Sequence, residues 1–132
     1  MHPDYAGNAN KFVQSTFIVN ELERQFMFSA QIKSMFGEYY DALESAKTIT
    51  FDTQYDVFGD NTVVIKSMLG HTPGSSVLLV RLANTGNLIL TGDLYVHERG
   101  RELQTMFQYN DQPLTVESKK SFEALVKKKM HE

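Results

Sequence analysis

The stretch from position 62 to 90 constrains the fold more than any other part of the chain. Residues 62–69 and 76–83 are rich in valine, isoleucine and leucine, the composition of buried strands. Between them lies Gly70-His71-Thr72-Pro73-Gly74, whose glycines and proline cannot continue either run. Asn84-Thr85-Gly86-Asn87 is a hairpin turn signal, and Leu88-Ile89-Leu90 returns antiparallel. A strand meander with one histidine loop is therefore expected here.

The flanks differ. Residues 8–12 predict a short helix and residues 16–19 a buried strand. Asn20 is a good N-cap for a helix carrying Leu22, Phe26 and Met27 at helical spacing. Met35, Tyr39, Leu43 and Ala46 recur three or four apart, predicting a second helix over residues 34–46, with Gly37 weakening its first turn. Residues 48–51 and 55–58 read as strands, and Gly59-Asp60-Asn61 as a turn. Beyond Asp93 the pattern is irregular to Pro113. Thr115 or Ser118 then caps a terminal helix whose core face holds Phe122, Leu125 and Val126. Helices, a meander and a final helix suggest a sheet covered by helices on one face.

With 132 residues the chain is long enough for one domain with a single core. A net charge of −3 supplies no global basic field, so nucleic acid is not an expected partner. Lys119, Lys120, Lys127, Lys128 and Lys129, interspersed with Glu117 and Glu123, read as a solvated helix face. The absence of cysteine excludes disulfides, thiolate metal sites and a cysteine nucleophile, and is compatible with a cytoplasmic location. No apolar run approaches a membrane span, and no secretory signal opens the chain.

Three elements carry candidate chemistry. His71 follows a strand in a stiffened loop, although from spacing alone an ordinary polar turn explains it better. Asp93 ends the apolar run Leu88-Ile89-Leu90-Thr91-Gly92, where a carboxylate is either a ligand or the cap of the next turn. His2 and Asp4 flank Pro3. In an extended loop they would point the same way and suit a zinc-like ion, but a plain polar terminus shows the same residues.

Taken together, these residues resemble the metallo-β-lactamase superfamily. His2-Pro3-Asp4-Tyr5-Ala6-Gly7-Asn8 is similar to the second half of its H-x-H-x-D-H metal motif. Tyr55-Asp56-Val57-Phe58-Gly59-Asp60, the Gly70–Gly74 loop and Thr91-Gly92-Asp93-Leu94-Tyr95 resemble, in order, segments of the N-acyl-homoserine-lactonase-like branch. The resemblance implies an α/β fold, α+β by layer. It would be a single partial domain over residues 1–132, holding mostly the C-terminal sheet of an αβ/βα sandwich with its covering helices. It implies zinc, one or two ions, with His2, Asp4, His71 and Asp93 as ligands. Asp4 would also orient a metal-bound hydroxide that opens a small-molecule lactone, ester or amide. Tyr95 resembles a tyrosine placed near the substrate carbonyl.

The departures are specific. Tyr5 stands where the motif has its last histidine, and a neutral phenol is a poor zinc ligand. The motif's first histidine would precede Met1, and the family's final histidine belongs on a strand after the terminal helix, so the chain is expected to be a fragment cut at both ends. His131 falls too early to replace that final ligand, and His97 has no counterpart and reads as a surface loop residue. An inactive fragment with no function of its own, or a module that binds a ligand or partner without catalysis, is the alternative. A sheet apolar on both sides, with Val63, Ile65, Val77, Leu79 and Ile89, is expected to pair with a second copy through its uncovered face.

Overall fold

The computed structural model describes residues 2–129, so His131 lies outside the described residues. The chain divides into two compact units, Met1–Asp52 and Thr53–Glu132.

The first unit opens with α1 (Pro3–Ala6) and a 3₁₀ turn at Ala9–Phe12, followed by β1 (Phe17–Asn20), α2 (Glu21–Met27) and α3 (Ala30–Phe36). Two further 3₁₀ turns, Gly37–Tyr39 and Asp41–Ser45, lead to β2 (Thr48–Phe51). β1 and β2 pair in parallel, with Phe17 opposite Thr48, and the helices form the crossover between them. Asn20 caps α2 as its sequence predicts. Its side-chain oxygen accepts from the Leu22 and Glu23 amides at 2.8 and 3.4 Å, while its amide donates to the Asp52 carbonyl at 2.8 Å. The core gathers Ala6, Val19, Met27, Tyr40 and Leu43.

The expected single helix over residues 34–46 is instead α3 followed by the two 3₁₀ turns. Tyr40 is the reason. Its ring is fully buried, packed edge-on against Phe28, and its hydroxyl donates to the Met27 carbonyl at 3.1 Å. Directing it there takes Phe36 and Tyr40 out of helical backbone geometry, at φ −132° and −147°. Gly37 sits against Asp41, where an added Cβ would lie 3.0 Å from the Lys33 side chain. Tertiary packing overrides the periodicity.

The second unit is the expected meander. β3 (Gln54–Asp56), β4 (Val63–Ser67), β5 (Ser76–Leu82) and β6 (Gly86–Leu90) form an antiparallel sheet in that order. A 3₁₀ turn at Gly92–Leu94, α4 (Glu98–Glu102) and α5 (Gln112–Lys129) complete it. Phe122, Leu125 and Val126 of α5 pack on Met68, Val77, Leu79, Ile89, Leu94 and Tyr95, so the sheet is covered by a helix on this face. The register puts Val63, Val80 and Leu88 in one row and Ile65, Leu78 and Leu90 in the next, both on the opposite face. Leu88 and Leu90 are exposed there.

α5 begins earlier than its expected caps. Asp111 fills that role, its carboxylate accepting from the Leu114 amide at 3.1 Å. Thr115 and Ser118 instead face inward, where their hydroxyls donate to the carbonyls of Asp111 and Leu69 at 2.7 Å each. The lysine run needs a second correction. Lys120, Lys127 and Lys128 are solvated, but Lys119 is buried, with 3% of its surface exposed. Helical spacing turns it toward the sheet side with Thr115, Ser118 and Phe122.

Among the described residues no helix is long and apolar enough to cross a membrane.

Candidate metal centre

The loop after β4 is folded onto itself. The Thr72 amide donates to the Ser75 hydroxyl at 2.8 Å, and the Ser75 amide returns to the Thr72 carbonyl at 3.3 Å. Gly70 adopts φ +131°, a conformation that L side chains rarely take. It also lies against the first turn of α5, where an added Cβ would stand 2.6 Å from the Thr115 amide nitrogen. That close approach lets the Gly70 carbonyl accept from the Asp111 amide at 2.9 Å. The loop and the start of α5 are thereby tied together, and His71 is held at the tie, 9% exposed.

The His71 ring is gripped on several sides. Its Nε2 lies 3.0 Å from Asp93 Oδ2, and its Nδ1 lies 3.2 Å from Asn110 Oδ1. Phe107 and Tyr109, stacked on each other at 5.3 Å, tilt against the imidazole at 5.2 and 5.4 Å. Asp93 arrives from the other side on the 3₁₀ turn Gly92–Leu94, which Gly92 enters at φ +51°. The Thr91 hydroxyl closes this turn by donating to the Tyr95 carbonyl at 3.0 Å.

With Asn110 Oδ1 as acceptor, Nδ1 carries the imidazole proton. In a neutral ring of that tautomer Nε2 turns its lone pair toward a carboxylate oxygen. Two acceptors at 3.0 Å repel each other unless a proton or a cation sits with them. Ligand atoms sharing one tetrahedral zinc at ~2.0–2.1 Å lie roughly 3.3 Å apart, so the pair suits a divalent ion. An acceptor on the far ring nitrogen, here the Asn110 side-chain oxygen, is the kind of partner that orients a metal-binding histidine. These residues of the second unit therefore fit a metal.

The remaining candidates lie as follows. His2 is half-buried and starts α1, its carbonyl accepting from the Tyr5 and Ala6 amides at 3.1 and 3.2 Å. The extended loop expected at residues 2–4 is a helical turn instead, because Pro3 at its first position favours helix. Asp4 is exposed in that turn, and Tyr5 is 61% exposed. The Tyr95 ring packs edge-on against Phe122, and its hydroxyl lies 3.4 Å from both Gln104 and Glu123. Burial pushes this phenol's pKa up. His97 is exposed, as expected, and its Nδ1 caps α4 by accepting from the Arg99 amide at 3.0 Å. A pocket of about 230 Å³ opens beside Asp93, with Leu94, Val96, Met106 and Phe107 in its wall.

Sequence reasoning missed Asn110, Phe107 and Tyr109. They sit in a segment without periodicity. The signal that could have found them was the density of aromatic and amide side chains just before the α5 cap, in a stretch too irregular to be core.

No family model matches the chain. Among curated proteins it is 34% identical over 103 residues to the N-acyl homoserine lactonase AttM of Rhizobium radiobacter, and 31% identical over 103 residues to that of Azorhizobium caulinodans. Each match takes in 70% of this chain and 38% of the relative, so the chain spans well under half the length of these lactonases. Two solved structures share its fold. One is an N-acyl homoserine lactone hydrolase with the product N-hexanoyl-L-homoserine at its catalytic metal centre, and the other an AiiA variant from B. thuringiensis with N-decanoyl-L-homoserine at its active site. Both align with a TM-score of 0.75 at 23% identity, over 95% of this chain and 48% of theirs. Likeness in sequence to the lactonases and the shared fold agree: the chain has the metallo-β-lactamase fold and is similar in sequence to N-acyl homoserine lactonases.

Proposed function

We propose that this chain supplies metal ligands and part of the substrate pocket of a zinc-dependent lactone hydrolase. The observation that carries the reading is the His71–Asp93 pair, oriented by Asn110. His2 and Asp4 join it as ligands on the strength of their motif positions. A divalent ion held there would lower the pKa of a bound water and polarise a lactone carbonyl. The chain's own contribution is to fix His71 by Asn110 and two aromatic rings, and to offer the carboxylates of Asp93 and Asp4 as ligands, Asp4 also managing a proton. The apolar pocket beside Asp93 receives an acyl chain. The substrate class is an N-acyl homoserine lactone or a related small ester or amide, as the named relatives suggest. In the same reading Tyr95 is an oxyanion partner, a role for which its hydroxyl would have to turn from Gln104 and Glu123. A cytoplasmic location, and pairing of two copies through the sheet face that exposes Leu88 and Leu90, belong to the same reading. Neither nucleic acid nor a membrane is a partner in it.

A second reading is a ligand- or partner-binding module without catalysis. Tyr5 favours it, since a largely exposed phenol occupies a motif histidine position. Zinc titration by calorimetry and a lactone-opening assay, each with His71→Ala and Asp93→Ala, separate the two. Hydrolysis and zinc binding that both disappear in these variants support the enzyme. Zinc binding without hydrolysis supports the module. Zinc affinity untouched by either substitution sinks the metal centre.

A further inference from the structure

Lys119 is the least ordinary residue of α5. Lysine is almost never fully buried unless its ammonium is paired, yet here the side chain is enclosed. Its Nζ donates to the carbonyl of Thr105 and lies 4.7 Å from the centroid of the Tyr95 ring. Burial alone pushes the ammonium's pKa down. A methionine or leucine would fill this space without such a penalty, so the amine invites an explanation.

The carbonyl it holds belongs to the segment that encloses His71. Residues 103–111 form no helix or strand, and Phe107 and Tyr109 are exposed, so hydrophobic burial does little to fix them. The segment is instead pinned near its two ends. At the far end the Asp111 amide donates to the Gly70 carbonyl at 2.9 Å. At the near end the Thr105 amide donates to the Gly100 carbonyl at 3.0 Å, and Lys119 takes the Thr105 carbonyl. Arg101 and Glu123, paired through two hydrogen bonds of 2.7 and 2.8 Å, hold α4 to α5 beside this anchor.

We infer that Lys119 is a positioning residue that fixes the 105–110 segment in the conformation enclosing His71. It acts on the imidazole through Thr105, Phe107, Tyr109 and Asn110 and touches neither His71 nor Asp93. Its consequence for chemistry rests on the proposed metal centre, but its effect on the segment does not.

The test uses Lys119→Met, which keeps an apolar stem of similar length and removes the amine. Amide hydrogen exchange and the NMR shifts of the His71 ring protons are followed in metal-free protein. Loss of a charge-assisted hydrogen bond predicts exchange of the Asn110 amide faster by about ten- to a hundredfold, with α5 amides 120–126 unchanged. The His71 ring protons should lose the ring-current shifts imposed by Phe107 and Tyr109, moving toward the values of a Phe107→Ala, Tyr109→Ala reference. Wild-type exchange and wild-type ring shifts in Lys119→Met would overturn the inference. Uniform acceleration across α5 would do the same, since it would mark a residue that merely stabilises the unit. If the variant does not fold, the wild-type ammonium answers directly. A slowly exchanging Lys119 NζH₃⁺ resonance supports the anchor, and one in fast exchange with water refutes it. Neither readout involves zinc or substrate, so failure of the hydrolase reading leaves this result standing, and the reverse also holds.

Discussion

Replacing Gly70 with alanine would force a Cβ to within 2.6 Å of the Thr115 amide nitrogen and 2.8 Å of its Cα. Both are backbone atoms in the first turns of α5, so no flexible side chain can yield. The substitution also asks an L residue to hold φ +131°. A sparsely populated backbone conformation costs ~1–3 kcal/mol. Pushing packed backbone apart costs a further ~1–3 kcal/mol. The sum, roughly 2–6 kcal/mol, is a large share of the ~5–15 kcal/mol that holds a typical domain together. Urea denaturation followed by circular dichroism should therefore show a large drop in midpoint for Gly70→Ala. Gly7→Ala is the control. Its Cβ would meet only the Pro3 carbonyl at 3.6 Å, an ordinary contact, and its effect should stay within ~0.5 kcal/mol. A midpoint for Gly70→Ala equal to that of Gly7→Ala would refute the close approach on which the His71 site depends.

Removing the Asn110 amide with Asn110→Ala should weaken zinc binding by about 10–100-fold while the fold persists, as calorimetric titration would register, because the histidine loses the partner of its Nδ1. Unchanged affinity would show that Asn110 does not orient the ring. The Arg101 guanidinium holds the Glu123 carboxyl below the usual carboxylate range. A folded pKa below the unfolded value of ~4.3 means the stabilisation is fully present above that value and is lost as pH falls through the folded one. Both side chains are more than a third exposed, so the difference between wild type and Glu123→Gln should be at most ~1 kcal/mol at neutral pH and shrink in acid, as urea melts across pH would measure.

The meander was legible because alternation and turn residues act locally. Gly86 enters β6 at φ +81°, as a tight turn requires, whereas residues 48–51 form a strand as read but pair in parallel with β1 rather than joining the meander. From position alone His71 read as a polar turn and Asp93 as either a ligand or a cap, and only the resemblance made them candidate ligands; the structure brings the two to 3.0 Å. What escaped depends on contacts made at a distance. Tyr40 broke an otherwise helical period to reach the Met27 carbonyl. α4 has a glycine at its centre and no apolar stripe, so its stretch read as irregular and His97, which caps it, as a surface loop residue. Lys119 carried the same letter as its solvated neighbours, and only its place three residues before Phe122 puts it on the core face. Asn110 has meaning only once Gly70 and Asp111 meet.

The strand pairings also set an order of assembly. Leu82 meets Gly86 across residues 83–85, and β4 meets β5 across the histidine loop, so this sheet grows from closures that cost little chain entropy. Phe17 must instead find Thr48 across two helices and two 3₁₀ turns, and a parallel pair has no hairpin to start it. Refolding should therefore be biphasic, with protection of β4–β6 amides arriving early and that of β1 and β2 late. The sheet that carries His71 would then be in place before the strand pair of the first unit has closed.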